Sequence, residues 1–263
     1  MNHPLITIGV RAARAAGNVI TRAMPRLHEI QIDNKQPFDF VTKVDLQAEE
    51  QIISTIKKAY PDHAILAEES GGQGDEQQPQ WIIDPLDGTT NFLHGIPQFA
   101  VSIAIKEHGR LLAGIVYDPL SQDLYTTVRG QGAVLNGRKI RVSQRHELAE
   151  SLIGTGLPFL PHHPFDDYVK ILKPVMMQTA GVRRAGAAAL DLAYVAAGKL
   201  DGFWEMGLKP WDMAAGVLLI QEAGGFVTDL EGQDSYLKTG YLCCGNPKIH
   251  ARLLSIIEKA RSS

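Results

Sequence analysis

Cysteine is almost absent. The 263 residues contain two, the neighbours Cys243 and Cys244. Adjacent cysteines rarely bridge each other and fit no zinc spacing, so neither a disulfide framework nor a zinc site is expected. Both read as small hydrophobes in a reduced cytoplasm. Long hydrophobic runs are missing too, which excludes a transmembrane helix. The N-terminal stretch MNHPLITIGVRAARAAGNVI has no basic segment ahead of an apolar block, so it reads as an amphipathic helix and not as a secretion signal. Charge of one sign is also lacking: 26 Lys and Arg against 29 Asp and Glu leave a net charge of −3. That removes the electrostatic footprint of a general nucleic-acid or membrane binder. What remains, 44% hydrophobic and 21% charged, is ordinary globular composition with enough chain for a sizeable core.

There is no internal repeat, low-complexity segment or long linker. Periodicity places helices near 4–23, 43–59, 166–180, 187–198, 210–223 and 248–261. In the second, Val44, Ala48, Ile52, Ile53 and Ile56 share a face, and the helix stops before Pro61. In the fifth, Pro210 suits the first turn and Gly224-Gly225 the C-cap. Strand-like runs fall at 64–67, 81–84, 99–106, 111–117, 123–128, 133–135, 139–142, 151–155, 201–205, 226–229 and 241–244, with Asn136-Gly137 as a hairpin signal. Two helices, a strand-rich middle and then alternating helices and strands indicate a layered α/β or α+β fold. The chain reads as a single domain, with a composition shift at 143–150 as a soft internal boundary.

The apolar run Trp81–Ile83 ends in Asp84, and Asp87 follows three residues later in WIIDPLDGTTNF. Asp-Pro and Asp-Gly are turn formers, and either aspartate alone carries no more meaning than that. Other acids change the balance. Glu68 and Glu69 end an earlier strand-like run, Asp212 sits in the first turn of a helix, and Asp45 lies near the start of another. If Glu68, Asp84, Asp87 and Asp212 meet, their charges need neutralising, or several pKa values rise strongly. No Lys or Arg lies in DPLDGTTN, and no His or Cys has ligand spacing. Hard oxygen donors without soft ones point to Mg²⁺ or Mn²⁺. Two such ions clamping a phosphate ester give the general scheme of metal-assisted phosphoryl transfer. Gly88 permits close backbone approach, Thr89 and Thr90 supply hydroxyls, and a helix starting here would aim N–H groups at a phosphate.

WIIDPLDGTTNF (Trp81–Phe92) and WDMAAGVLLIQEAGG (Trp211–Gly225), about 120 residues apart, resemble the two signature motifs of the inositol monophosphatase family. The resemblance runs through VTKVD, EES, GQGAVLNG, EMG and CGNP over nearly the whole chain, and within the family it is similar to the bacterial SuhB-type branch. It implies an α-β-α-β-α sandwich that requires Mg²⁺, two or three ions with Mn²⁺ as a substitute, and that is inhibited by Li⁺. It implies that Glu68, Asp84 and the Leu86 carbonyl hold one metal, that Asp84, Asp87 and Asp212 hold a second, and that a third sits near Glu68. Glu68 and Thr89 would activate the water, with Asp45 bonded to Thr89; Gly88 and Thr89 amides would hold the phosphate. Asp87, Ala188 and Glu205 would contact the alcohol beside Asp212, and Lys35 matches a lysine on a loop near the site.

The implied activity is hydrolysis of myo-inositol 1-phosphate or a related polyol or sugar phosphate, by a cytoplasmic homodimer with no membrane partner. Other small phosphate esters, NADP and histidinol phosphate among them, share the active-site core. The bacterial branch also implies a role in transcription antitermination and ribosomal RNA transcription, through contacts with the transcription machinery. The sequence departs from the family at GAAAL, where animal enzymes have a threonine after the glycine, and at Lys209-Pro210 and His94-Gly95. These departures touch substrate preference, not the metal ligands. Trp81 and Trp211 are expected to pack beneath the site, and Glu69 to sit behind it or in solvent. His162-His163 is expected in a solvated loop, Arg183-Arg184 near the site, at a subunit interface or on the surface, and Asp191 mid-helix with no assigned role.

Overall fold

The computed structural model describes residues 3–29, 32–36, 39–75, 77–158 and 165–262, with side chains described for all of these except 29, 32–36 and 39–41. Helix α1 (Pro4–Ala23) carries a closely spaced small-residue face, Gly9, Ala12, Ala13, Ala16 and Gly17, that is buried. The hairpin β1 (Ile32–Gln36) and β2 (Asp39–Thr42) leads into α2 (Lys43–Ala59), which opens with a capping box between Thr42 and Asp45.

The next strands are β3 (Ala64–Ala67), β4 (Gly71–Gln73), β5 (Gln80–Asp87), β6 (Ala100–Glu107), β7 (Arg110–Asp118), β8 (Asp123–Val128), β9 (Ala133–Leu135) and β10 (Arg138–Ile140), with the short helix α3 (Thr89–Leu93) after β5. They form one eight-stranded sheet in the order β10-β9-β8-β7-β6-β5-β3-β4. Every neighbouring pair is antiparallel except β3 and β5, which are parallel. The Asn136-Gly137 signal is the two-residue turn of β9–β10, with φ of 49° and 81°.

Residues 141–151 carry the chain to a second, five-stranded sheet. Its elements are β11 (Leu152–Thr155), α4 (Phe165–Gln178), β12 (Gly181–Arg183), α5 (Ala188–Ala196), β13 (Gly202–Met206), α6 (Pro210–Glu222), β14 (Phe226–Thr228), α7 (Tyr236–Thr239), β15 (Tyr241–Gly245) and α8 (Pro247–Arg261). The strand order is β12-β11-β13-β15-β14.

Three apolar clusters define the layers. The first joins α1 and α2 to one face of the large sheet through Trp81, Ile83, Ile103, Ile105 and Ile115. The second fills the space between the sheets, where α5 and α6 lie. The third seats α4 and α8 on the outer face of the small sheet around Tyr168 and Trp204. The order is therefore α-β-α-β-α, as the family resemblance implied. Among the described residues no helix is long and apolar enough to cross a membrane. Central strands buried on both faces explain the continuous apolar runs VSIAI and LLAGIV, which lack strand alternation.

The two faces of the large sheet differ in side-chain size. Isoleucines point toward α1 and α2, while Ala100, Ala104 and Gly114 are on the inner side. At Gly114 a Cβ would lie 3.0 Å from the Ala215 carbonyl oxygen and 3.2 Å from its Cα. α6 thus rests on β7 backbone to backbone, and this fixes the depth at which its N-terminus meets the sheet edge. Gly114→Val is expected to destabilise the protein by about 1–3 kcal/mol through overpacking. Urea denaturation tests this, and a midpoint equal to wild type would refute the close α6 seat.

Candidate active site

The cleft lies where β5 leaves the large sheet, and its geometry starts from Pro85. Asp84 pairs with Ser102 and Asp87 with Ala100, so four residues of β5 oppose three of β6. Proline has no N–H to continue the ladder, and the extra residue forms a bulge. In an unbroken strand, residues three apart point to opposite faces. The bulge restores them to one side, so Leu86 enters the α1/α2 core while Asp84 and Asp87 reach the same cleft. The Leu86 N–H donates to Asp84 Oδ1 at 2.9 Å, which fixes the turn. Gly88 follows with φ of 94°; a Cβ there would lie 2.8 Å from the Gln98 carbonyl oxygen, so only glycine fits.

The parallel pairing of β3 and β5 puts their carboxyl ends side by side. The Glu68 N–H donates to the Ile83 carbonyl at 3.1 Å, next to Asp84. From the middle layer, α6 presents Asp212 in its first turn, with Oδ2 accepting from the Lys209 N–H at 2.7 Å. The Ser102 hydroxyl donates to the Trp211 carbonyl at 3.0 Å, fastening that helix end to the strand beside Asp84. α5 begins nearby, and its Ala189 N–H donates to Asp87 Oδ2 at 2.7 Å. Asn91 Nδ2 lies 2.8 Å from the Gln98 carbonyl and 2.9 Å from that of Ala185, tying the turn after β5 to the approach to α5.

On the sheet side, the Thr89 hydroxyl is 2.9 Å from Asp45 Oδ1 and 3.1 Å from the Leu86 carbonyl. Asp45 is buried, and its other oxygen accepts from the Thr42 N–H and hydroxyl. Glu205 arrives from β13. It fits only because residue 156 is glycine: a Cβ on Gly156 would come within 1.8 Å of Glu205 Oε1.

The result is a cavity of about 280 Å³ walled by Glu68, Asp87, Gly88, Thr89, Ala188, Asp191, Glu205 and Asp212, with Arg184 and Thr155 also in its lining. Burial, then the charges of Glu68, Asp87 and Asp212, hold the Asp84 carboxyl well above its usual range. Burial pushes Asp87 up to about 8 against the pull of the Ala189 N–H, with Asp191 and Glu68 adding to the rise. Glu205 is raised by burial and by Asp212, Asp191 and Asp87, with Arg184 opposing. Asp191 is raised to about 7 by burial, again against Arg184.

This donor set suits a hard divalent cation. The cavity wall offers carboxylates, hydroxyls and backbone but no imidazole or thiol. Among the described residues no three side chains stand in a finished ligand arrangement. Asp84, Asp87 and Asp212 each have one oxygen engaged by a backbone N–H. That bond helps fix the orientation of each carboxylate.

Glu68, Asp84, Asp87, Gly88, Thr89, Ala188, Glu205, Asp212 and, through Thr89, Asp45 and Leu86 are thus brought to one place. The Lys35 side chain and His162-His163 lie outside the described residues. Trp81 is fully buried, with Nε1 donating to His63 Nδ1 at 3.0 Å, as a packing residue should be. Both arginines are exposed, and of the two Arg184 lines the cavity. Asp191 is not mid-helix but in the first turn of α5, facing the cleft. Glu49 received no role from the sequence; it is buried and accepts from the Glu69 and Ser70 N–H groups, both at 2.9 Å. Its one hint in the sequence is its place a turn beyond Asp45, next to the apolar face of α2; the loop it holds is not legible there.

The model of the inositol monophosphatase family matches residues 1–262. The chain is 51% identical over 260 residues to a protein of Pseudomonas aeruginosa named Nus factor SuhB, covering 97% of this chain and 96% of that one. It is 47% identical over 260 residues to the inositol-1-monophosphatase of Mesorhizobium japonicum, covering 98% of each. The crystal structure of the extragenic suppressor protein suhB from Bartonella henselae superposes with a TM-score of 0.95 at 45% identity, over 98% of this chain and 99% of that one.

The raised carboxyls carry a pH signature with a defined sign. A carboxyl whose pKa is higher folded than unfolded stabilises the fold at low pH, and that contribution is lost as pH rises toward the folded value. In chelator, wild-type stability relative to Asp87→Asn is expected to fall as pH climbs from about 4 to about 8, and Mg²⁺ is expected to reverse the fall. Thermal melts across that window test this; a difference that stays flat or grows with pH would contradict it.

Proposed function

The chain belongs to the inositol monophosphatase family, and from that premise we propose that the cleft hydrolyses a phosphate monoester in a Mg²⁺-dependent reaction, with a myo-inositol monophosphate or a similar polyol phosphate as substrate. The observation that carries this reading is the convergence of Glu68, Asp84, Asp87 and Asp212 beside the Gly88–Thr89 helix start. Carboxylates so close together, with Asp84 and Asp87 raised by burial and by acidic neighbours, need cations to remain ionised near neutral pH.

Glu68, Asp84, Asp87, Asp212 and the Leu86 carbonyl would hold two Mg²⁺ ions, with a third near Glu68. Mn²⁺ would substitute, and Li⁺ would inhibit. When bound, these ions neutralise phosphate charge and act as Lewis acids toward water and the leaving oxygen. The remaining work falls to the chain. The Thr89 hydroxyl, directing its proton to Asp45, can accept a hydrogen bond from the attacking water. Glu68 borders the same cavity and takes the proton from that water. The Gly88 and Thr89 N–H groups, at the start of α3, receive phosphate oxygens.

On this reading Ala188, Glu205 and Asp191 line the alcohol side, with the Arg184 charge acting on both acids. Acceptors for hydroxyl groups on a concave wall favour a polyol over an apolar alcohol. Ala187, where animal enzymes have threonine, is buried and offers no side-chain hydroxyl there.

Phosphate release from inositol 1-phosphate, with and without Mg²⁺, tests the reading directly. Glu68→Gln and Asp87→Asn are each expected to lower kcat at least about a hundredfold in folded protein. Wild-type-like turnover in both variants would refute the site. A panel including sugar phosphates, NADP and histidinol phosphate ranks the alcohol.

A second role, as a transcription factor of the Nus type, is supported by the name of the Pseudomonas relative. It would use the outer surface and leave the cleft free. Pull-down of transcription proteins by folded Asp87→Asn is expected to match wild type; loss of those partners would mean that binding and catalysis share the cleft.

A further inference from the structure

Glu68 sits on a loop whose backbone is held from behind. Residues 68–70 join β3 to β4, with Ala67 paired to Gly71 and Gly71 at φ of 73°. This is a three-residue hairpin loop closed by a residue of positive φ. Such a loop turns N–H groups inward that the ladder cannot satisfy. Here each has a partner. The Glu68 N–H donates to the Ile83 carbonyl at 3.1 Å, and the next two meet the two oxygens of one carboxylate: Glu69 N–H to Glu49 Oε2 and Ser70 N–H to Glu49 Oε1, both 2.9 Å. Glu49 comes from α2, another element altogether, and is 3% exposed. Its neighbour Glu50 is exposed.

We propose that Glu49 is a positioning residue for the reaction: by clamping the Glu69 and Ser70 amides it fixes the turn that aims Glu68 into the cleft. The inference rests on the phosphatase reading only for the role of Glu68; the clamp itself is independent of it. Both oxygens of a carboxylate accept, so two converging N–H donors suit glutamate and not its amide. In Glu49→Gln one N–H would face an NH₂ group, donor against donor, and the charge assistance of both bonds would vanish. The helix would survive, because Gln forms helix as readily as Glu. Asp45 lies one turn earlier on the same helix and bonds Thr89. α2 therefore sets the positions of both groups that handle the water, and a shift at residue 49 reaches Glu68 without touching the cleft wall.

The test is kinetic and structural together. Glu49→Gln is expected to lower kcat about tenfold or more with KM changed less than about threefold, since the loss of charge-assisted bonds acts on a group that works in the transition state and not in binding the alcohol. Its half-saturating Mg²⁺, read by calorimetry as well as by rate, is expected to rise. Glu49→Asp is expected to recover part of the kcat, and Glu50→Gln to behave as wild type. A merely structural role would lower the melting temperature and leave kcat and Mg²⁺ affinity of the folded fraction unchanged, and that result would overturn the proposal.

Amide hydrogen exchange on wild type gives a second, folding-independent check. The Glu69 and Ser70 amides should be protected although their loop is near the surface; exchange at the free-chain rate would show that no clamp exists. If wild type hydrolyses no phosphate ester but these amides are protected and calorimetry shows weaker Mg²⁺ binding in Glu49→Gln, the phosphatase reading fails and the clamp stands.

Discussion

Like charges crowded into a partly buried cleft repel each other and lose hydration, and no side-chain packing around them removes that cost. The architecture around Asp84 answers it with backbone N–H groups. Leu86, Ala189 and Lys209 each donate to one aspartate of the cluster, and Glu69 and Ser70 donate to the buried acid behind it. These donors come from a bulge, two helix starts and a hairpin loop. Each is a place where regular secondary structure leaves an N–H unpaired. The surplus donors of the fold and the acceptors of the site thus meet locally, and the carboxylates they hold are gathered in one place.

The same logic explains why the site lies at the junction of the layers. A strand end in an antiparallel meander is followed by a tight return, which leaves little room for a cleft. The one parallel pair in the large sheet, β3 with β5, is the exception: both chains leave at the same edge. Glu68 and Asp84 occupy those two exits. The middle layer then supplies α5 and α6 with their first turns against that edge, held by Ser102 to Trp211 and by Asn91 to Ala185. Gly114 and Gly156 remove the side chains that would keep these parts apart.

Much of this was legible in the sequence. The bounds of α1 and α2 were read as they stand, because each has a clear start and an unbroken apolar face. The long strands were found, since a run such as VSIAI has few alternatives. The missed elements were β1 and β2, β4, α3, β12 and α7, all of five residues or fewer, where local preference is weak and tertiary pairing decides. The acids were singled out from their places at element ends, but single spacings held no information that they meet. The family resemblance joined them. The supporting residues were hidden for a different reason. Glu49 contacts a loop twenty residues away, and Arg184 faces the cleft while Arg183 does not. Neither fact follows from a period or a motif.

A phosphate ester would enter a space already set with fixed positive ends. α3 and α5 begin in the cleft wall, at Thr89 and Ala188, and α6 brings Asp212 to it in its first turn, so the positive end of each helix dipole lies at the cleft. Unlike lysines on flexible stems, these partial charges need no ordering when an anion arrives, and they cannot be neutralised by a change of pH. They are too weak to balance the whole acid cluster, each helix end counting for about half a charge. Cations must supply the rest, and a pair of Mg²⁺ ions would turn the surplus from negative toward neutral. The carboxylates would then serve as cation holders more than as direct partners of the substrate. On this view the acid cluster and the helix starts divide the work: one recruits the metals, the other shapes the phosphate pocket. Glu205, outside the β5 bulge and supported on the small sheet by the missing side chain of Gly156, is left free to read the alcohol.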